Sequence, residues 1–455
     1  MSWKRACALI SFCVAPAIVS RAQTFTTLVS FDGTNGAYPF YGSLVQATNG
    51  DLYGTTYGGT NIYGTIFKIT PDGALTTLHR FDFTDGAYPE VGLVQATNGD
   101  LYGTTAYGDN DICVGEGGGC GTIFKISPAG VFTTLHSFDS TDGATPIAGL
   151  LQAANGDLYG TAEQGGANNI GTIFKITPGG AFTTLHSFDG TDGSYPHAGM
   201  VQATNGYLYG TTDAGGTYGA GTIFQITTEG VLTTLHSFDY DNGAFPGYGS
   251  LVLASNGDLY GTTNRGGANC VDTGGCGTVF KITPDGRAST LRSFGFTSGC
   301  RPESGLVQAT DGNLYGTTSV CGANGGTIFE ITPAGALTVL YSPGGSGLVQ
   351  ATDGNFYGFA GGGTDGAGTI FKLSVGLGPF VKTVPSVGSV GAVVTILGTD
   401  LTGATSVAFN GIEAAFTVVS PSEISASVPT GATTGKVQAI TPSGTLVSNV
   451  GFVVQ

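Results

Sequence analysis

The tripeptide Leu-Tyr-Gly occurs at Tyr53, Tyr102, Tyr159, Tyr209, Tyr260 and Tyr315, with a Phe-Tyr-Gly variant at Tyr357. A second run, Gly-Thr-Ile-Phe-Lys with small changes, recurs at Phe67, Phe124, Phe174, Phe224, Phe280, Phe329 and Phe371. A third, most often Thr-Leu-His-Ser-Phe-Asp, recurs at Phe81, Phe138, Phe188, Phe238 and Phe294 and degenerates at Leu340-Tyr341-Ser342. The seventh copy lacks this third run. Its missing piece stands at the other end of the repeat region, as Thr27-Leu28-Val29-Ser30-Phe31-Asp32. A tandem array whose last unit is completed by its first residues is the pattern of a closed ring.

Tyrosine-to-tyrosine spacings of 49, 57, 50, 51, 55 and 42 residues match the period of a propeller blade rather than a helical repeat. Each unit offers four short runs rich in β-branched and aromatic residues; in the first these are 44–47, 52–56, 65–69 and 75–79. Asn49-Gly50 and Pro71-Asp72-Gly73 supply tight turns between the outer pairs of runs. A ring of four-stranded sheets must leave no open edge, so residues 25–32 are expected to complete the last blade. The expected fold is all-β: a seven-bladed β-propeller over 23–374, closed by an N-terminal strand. The second-to-third-strand and outer-to-inner connections fall on one face and carry the insertions, so function is expected there.

Residues 1–22 read as a secretory signal, with Lys4 and Arg5, an apolar stretch from Ala6 to Val19, and Ser20-Arg21-Ala22 at the cleavage site. No later stretch is long enough for a membrane span. Removing Lys4, Arg5 and Arg21 leaves 12 basic residues of the chain's 15 against 31 acidic ones, a net charge of −19. Such a surface repels phosphate backbones and anionic lipid, which argues against nucleic-acid binding. Export makes disulfides the expectation for the six remaining cysteines, paired Cys113–Cys120, Cys270–Cys276 and Cys300–Cys321. Closing a loop the size of Cys113–Cys120 contributes about 2–3 kcal/mol in the chain-entropy description. Zinc is the alternative, but these pairs lack partner histidines or a second close Cys pair in sequence.

After Ser374 the repeats stop, and 375–378 read as a linker. Alternating runs at 393–397, 406–409, 416–419, 424–428, 437–440 and 450–454 then point to an immunoglobulin-like β-sandwich over 379–455. This segment resembles an IPT/TIG domain through Pro385-Ser386-Val387-Gly388, Val394-Thr395-Ile396-Leu397-Gly398-Thr399-Asp400-Leu401, Val407-Ala408-Phe409-Asn410-Gly411 and Val428-Pro429. The repeats resemble the bacterial GloVer (Gloeo/Verruco) tandem repeat, with Asp51-Leu52-Tyr53-Gly54-Thr55-Thr56, Gly64-Thr65-Ile66-Phe67-Lys68-Ile69-Thr70-Pro71 and Thr77-Leu78-His79-Arg80-Phe81-Asp82 as hallmark runs. The resemblance implies an exported bacterial protein, secreted or at the cell surface, in which the IPT/TIG domain is a spacer or interaction module. The chain ends at Phe452-Val453-Val454-Gln455 without an evident sorting tail.

Repeated chemistry reads as packing. His79, His136, His186 and His236 share one position on four separate outer strands, too far apart to converge on one metal. The repeated Tyr and the recurrent Gln46, Gln95, Gln152, Gln202, Gln308 and Gln350 read as contacts between blades, and Leu253 breaks the glutamine series. The acids Asp82, Asp85, Asp139, Asp142, Asp189 and Asp192 lie in Asp-Gly turns; calcium is the alternative to a structural role, and no other cofactor is expected.

Positions where the repeats disagree carry the functional signal. Directly after each Gly-Thr-Thr or its variant stand Tyr57, Ala106, Glu163, Asp213, Asn264, Ser319 and Gly361, followed in some repeats by Tyr107, Gln164 and Arg265. Carboxylates, an amide and an arginine beside tyrosines suit a hydroxyl-rich ligand. His197, after Tyr195-Pro196, is the histidine off the repeat pattern. Two functions are expected as alternatives. The first is a monomeric binding protein whose loop face recognises a polysaccharide or an extracellular protein. The second is a polysaccharide-degrading enzyme, a glycoside hydrolase or lyase, using Glu163 and Asp213 as an acid/base pair.

Overall fold

Each repeat folds as a four-stranded antiparallel sheet because its second strand is apolar or small on both faces and must be covered twice. In the computed structural model, which describes residues 23–39, 42–60, 62–108, 113, 118–270 and 274–455, sheet one runs Val45–Gln46, Leu52–Thr56, Thr65–Ile69, Leu75–Arg80. Sheets two to six repeat this order within 94–137, 151–187, 201–237, 252–293 and 307–341. The signal segment expected at 1–22 lies outside the described residues.

Leu-Tyr-Gly has a packing reason at every letter. In sheet one, Leu52 and Tyr53 are both fully buried. The Tyr53 hydroxyl accepts a hydrogen bond from Asn49 Nδ2 at 2.8 Å, so a large apolar ring is buried without stranding its polar end. Gly54 lies opposite Phe67, and a Cβ there would meet the Phe67 ring at 2.7 Å and Leu44 at 2.9 Å. The glycine is therefore the space that the phenylalanine of the next strand fills.

The seventh sheet shows how the ring shuts. Ser346–Gln350, Phe356–Ala360 and Thr369–Ser374 form three strands, and the fourth is Thr24–Ser30, antiparallel to Thr369–Ser374 in the register Thr24↔Ser374 to Ser30↔Thr369. Phe31, Leu52, Phe67 and Ile69 then pack on Tyr357, Phe359 and Ile370, joining sheet one to sheet seven. The glutamines add polar joints. Backbone N–H groups of Thr48, Thr97, Ala154, Ser255, Thr310 and Thr352 donate to Gln95, Gln152, Gln202, Gln308, Gln350 and Gln46 respectively, at 2.7–3.2 Å. The last of these leads from sheet seven back to sheet one. Leu253 takes the glutamine position in sheet five, and its contacts there are apolar. The result is an all-β, propeller-like succession of sheets.

The C-terminal residues form two facing four-stranded sheets. One contains Lys382–Val384, Val393–Leu397, Glu423–Ser427 and Phe416–Ser420; the other contains Ile412–Glu413, Ser406–Phe409, Val437–Thr441 and Gly444–Val447. Val394, Ile396, Val407, Phe409, Ile424 and Phe452 form the core between them. Four strands escape the sequence pattern, one of them the two-residue Val387–Gly388, which pairs in parallel with Val453–Val454. Gly444–Val447 and Ile412–Glu413 are mostly exposed edge strands, and Lys382–Val384 is half-buried, so none shows a clean alternation. The 450–454 run is strand only at Val453–Val454.

The sandwich rests against the ring's hairpin turns on the face opposite the long loops. Ser422 Oγ donates to Thr48 O (2.9 Å), Asn449 Nδ2 to Gln308 O (3.3 Å) and Lys382 Nζ to Gln350 O (3.2 Å), touching sheets one, six and seven. Val375 and Phe380 are buried, and Gly354 has the Leu377 and Gly378 carbonyls within 2.5 Å of where a Cβ would stand. The connection at 375–378 is thus packed against the ring.

Candidate site at the mouth of the ring

A repeated backbone device aims the loops. The residue before the loop proline adopts a left-handed conformation in six repeats: Tyr38, Tyr88, Thr145, Tyr195, Phe245 and Arg301, all with φ between 54° and 59°. Such a conformation costs about 1–2 kcal/mol for a residue with a Cβ. Two backbone hydrogen bonds offset it. In the third unit, Thr145 N–H donates to Cys120 O at 2.9 Å and Thr145 O accepts from Glu163 N–H at 3.1 Å. The equivalent carbonyls accept from Tyr57, Ala106, Asp213, Asn264 and Ser319. Six of the seven variable residues after Gly-Thr-Thr are therefore pinned to the residue before a proline, and the residues that follow those prolines form a second column near them.

That second column reads Glu90, Ile147, His197, Gly247 and Glu303. A cavity of about 850 Å³ opens there, lined by Glu90, His197, Tyr248 and Glu303 with Ser319, Ser346 and Phe359. A narrower space of about 360 Å³ continues inward past the same His197, Tyr248 and Glu303, among leucines of the inner strands.

Charge is concentrated at this mouth. His197 Nε2 lies 3.2 Å from Glu163 Oε1, an ionic contact whose angle falls short of an aligned hydrogen bond. Burial works against the His197 imidazolium, but Glu163, Asp213 and Glu90 outweigh it and raise its pKa above the ordinary value. Burial, with repulsion from Glu163, pushes Glu90 up to about 7. Asp213 is likewise raised, first by burial, and its Oδ1 is buried without a hydrogen-bond partner. Asn264 Nδ2 donates to Glu303 Oε1 at 3.3 Å, linking the fifth and sixth units.

The residues expected from sequence divide into three groups. Glu163, His197, Asp213 and Asn264 come together at the mouth. Neither Glu163 nor Asp213 lines the cavity, however: Gly247 packs on Asp213, where a Cβ would come within 2.8 Å of the Asp213 Cβ. Gln164 and Arg265 are exposed on the rim, with Arg265 offsetting a part of the burial-driven rise at Asp213. Tyr57 and Tyr107 belong to an aromatic group around Tyr88, with ring centroids 4.7 and 6.0 Å away. Glu90, Glu303 and Tyr248 were not expected. The first two stand directly after a repeated proline, as His197 does, and that shared position was the signal that could have found them. Tyr248 had no such signal, because it is delivered by a short helical turn, Pro246–Tyr248, that no other unit has at this place among the described residues.

The repeated acids are occupied within the protein. Asp85, Asp142 and Asp192 pair with His79, His136 and His186 at 2.6–2.8 Å. Asp82, Asp139 and Asp189 accept from the threonine two residues on and have lowered pKa values, chiefly from that threonine hydroxyl. The cysteines form the bonds Cys113–Cys120, Cys270–Cys276 and Cys300–Cys321. A second Cys pair, missing from the sequence neighbourhood of Cys270–Cys276, is supplied by the next unit: the Cys270, Cys276 and Cys300 sulfurs lie within 4.8 Å of one another.

The sequence matches the family model of the Gloeobacter/Verrucomicrobia repeat over residues 17–153, 112–274 and 271–405, and that of the IPT/TIG domain over 379–454. No curated protein matches it. Similar solved structures include a fungal alcohol oxidase of the AA5 family in complex with copper, at 12% identity and TM-score 0.54, covering 96% of this chain and 100% of that chain. They also include a luciferin-regenerating enzyme at 11% identity and TM-score 0.41, covering 79% and 98%. A Bacteroides thetaiotaomicron protein of unknown function is 13% identical with TM-score 0.45, covering 78% and 76%. At these identities the likeness is one of fold alone.

Proposed function

The chain belongs to the Gloeobacter/Verrucomicrobia repeat family, and from that premise we propose that it is an exported bacterial binding protein. In this reading the ring is a seven-bladed propeller closed by its N-terminal strand, acting as a monomer, and its loop face takes a polysaccharide. The observation that supports it is the cavity of about 850 Å³ lined by Glu90, His197, Tyr248 and Glu303. Carboxylates accept from sugar hydroxyls, the imidazole and phenol can donate, and the apolar inner wall receives ring faces. The IPT/TIG domain, seated on the opposite face, leaves that entrance clear.

A glycan-binding screen on residues 23–455 tests this. Glu303→Gln and His197→Asn should each weaken binding about tenfold, the loss expected for one charge-assisted hydrogen bond. Binding that neither variant alters would remove the cavity from the reading, and capture of a protein in place of any glycan would overturn the ligand class. A second reading, glycan cleavage, rests on Glu90: with its pKa near neutrality it can hold the proton that a general acid must deliver. Glu90 takes this role in place of Asp213, which lies under Gly247. Product release abolished by Glu90→Gln would establish that activity.

A further inference from the structure

Outside the cavity, five aromatic side chains gather on the loop face of the first and second units, with Tyr38 joined to them through the backbone. Tyr57 stacks on Tyr88 with centroids 4.7 Å apart and planes at 25°. Tyr63 meets Tyr88 at 5.8 Å and Phe83 at 5.2 Å, Tyr107 meets Tyr88 at 6.0 Å, and Tyr57 is bonded through its backbone to Tyr38. Tyr38 is 48% exposed and Tyr63 38%.

Phe83 holds a left-handed conformation at φ 80°, at a turn position occupied by Gly33 in the first unit and Gly190 in the fourth; Ser140 (φ 73°) and Tyr240 (φ 70°) hold it in the third and fifth, so the conformation belongs to the turn and the side chain is what varies. An aromatic ring is kept there against a cost of about 1–2 kcal/mol. The group is also continuous with the cavity, since Tyr88 is two residues from Glu90 on the cavity wall.

We propose that this aromatic shelf is a second binding surface, for an extended neutral polysaccharide whose chain runs from the shelf into the cavity. The proposal rests on the glycan reading of the cavity. Tyrosine presents an apolar face with a hydroxyl rim, matching the alternation of C–H faces and hydroxyl edges on a sugar chain. These aromatic side chains carry no charge, and Asp82 and Asp85 in the neighbouring turn outnumber Arg80, which reaches Thr34 O, so a polyanionic chain is disfavoured.

Affinity electrophoresis through hydroxyethylcellulose, galactomannan, laminarin and polygalacturonate, alongside oligosaccharides of the retained polymer, tests the shelf. Phe83→Gly is safe for folding because glycine fills that position elsewhere; Tyr63→Ala and Tyr63→Phe accompany it. The expected result is retardation by a neutral polymer, weakened about fivefold to tenfold by Phe83→Gly and Tyr63→Ala. Tyr63→Phe should keep it, and His197→Asn should weaken oligosaccharide and polymer alike. Polymer binding indifferent to both shelf variants but sensitive to His197→Asn would overturn the shelf and leave the cavity standing. Retention by polygalacturonate alone would overturn the neutral-chain assignment. No retention by any polymer, with oligosaccharides still bound, would overturn the shelf; loss of both would overturn the glycan reading as well.

Discussion

Glu90 is half-buried beside another carboxylate, and this has a measurable consequence. Its folded pKa of about 7 lies above the ordinary 4.5. A raised carboxylate means stability that is fully present below the unfolded pKa and is lost as pH rises through the folded one. Thermal unfolding should therefore show Glu90→Gln gaining on the wild type between pH 4.5 and 7, by about 1–3 kcal/mol at the upper end. A difference independent of pH would mean that Glu90 ionises freely. The residue could have been found in sequence, since it varies directly after a repeated proline, the place that His197 takes two units on. Its burial could not, because that depends on which neighbours the ring brings beside it.

At the scale of one sheet, the repeated residues explain each other: glycine yields the space phenylalanine fills, and glutamine ties each inner strand to the next sheet. Gln152→Leu removes the acceptor of Thr97 N–H. It should cost about 1 kcal/mol in urea unfolding, less if water reaches the freed amide. Gly160→Ala should cost more, about 1–3 kcal/mol, since its Cβ would stand 2.5 Å from Phe174 Cζ and 2.7 Å from Leu150. An ordering with the glutamine variant weaker would contradict the packing account of Leu-Tyr-Gly. Strand positions within the repeats were legible because seven copies average out local ambiguity. The sandwich offers one copy, and its exposed edge strands passed unnoticed for that reason.

On the scale of the molecule, the ring and sandwich meet as a packed junction. Lys382 reaches Gln350 O there, and although the residue as a whole is partly exposed, burial pushes its ammonium down to about 8. A depressed lysine contributes stability that is present above its unfolded pKa and lost as pH falls through the folded value. Full-length protein should thus lose stability relative to Lys382→Met as pH drops from 10.5 to 8, by about 1–3 kcal/mol in calorimetry. A flat difference over that range would mean that the ammonium stays hydrated at the junction. Seating the sandwich on one face also leaves a single described entrance side to the cavity, the side where the variable loops lie.

The repeat period, the displaced closing strand and the identity of the variable columns are properties of the chain itself, because they depend only on order and spacing along it. Covering both faces of each Leu-Tyr-Gly strand leaves a ring as the arrangement that buries all of them. Convergence is a different matter. Glu90, Glu163, His197 and Glu303 stand in four different units, and no local rule says that His197 meets Glu163 while Gly247 covers Asp213. Those pairings follow from the angle between adjacent sheets and from one helical turn at Pro246–Tyr248. They are decided only when the ring has closed and side chains distant in sequence compete for the same space.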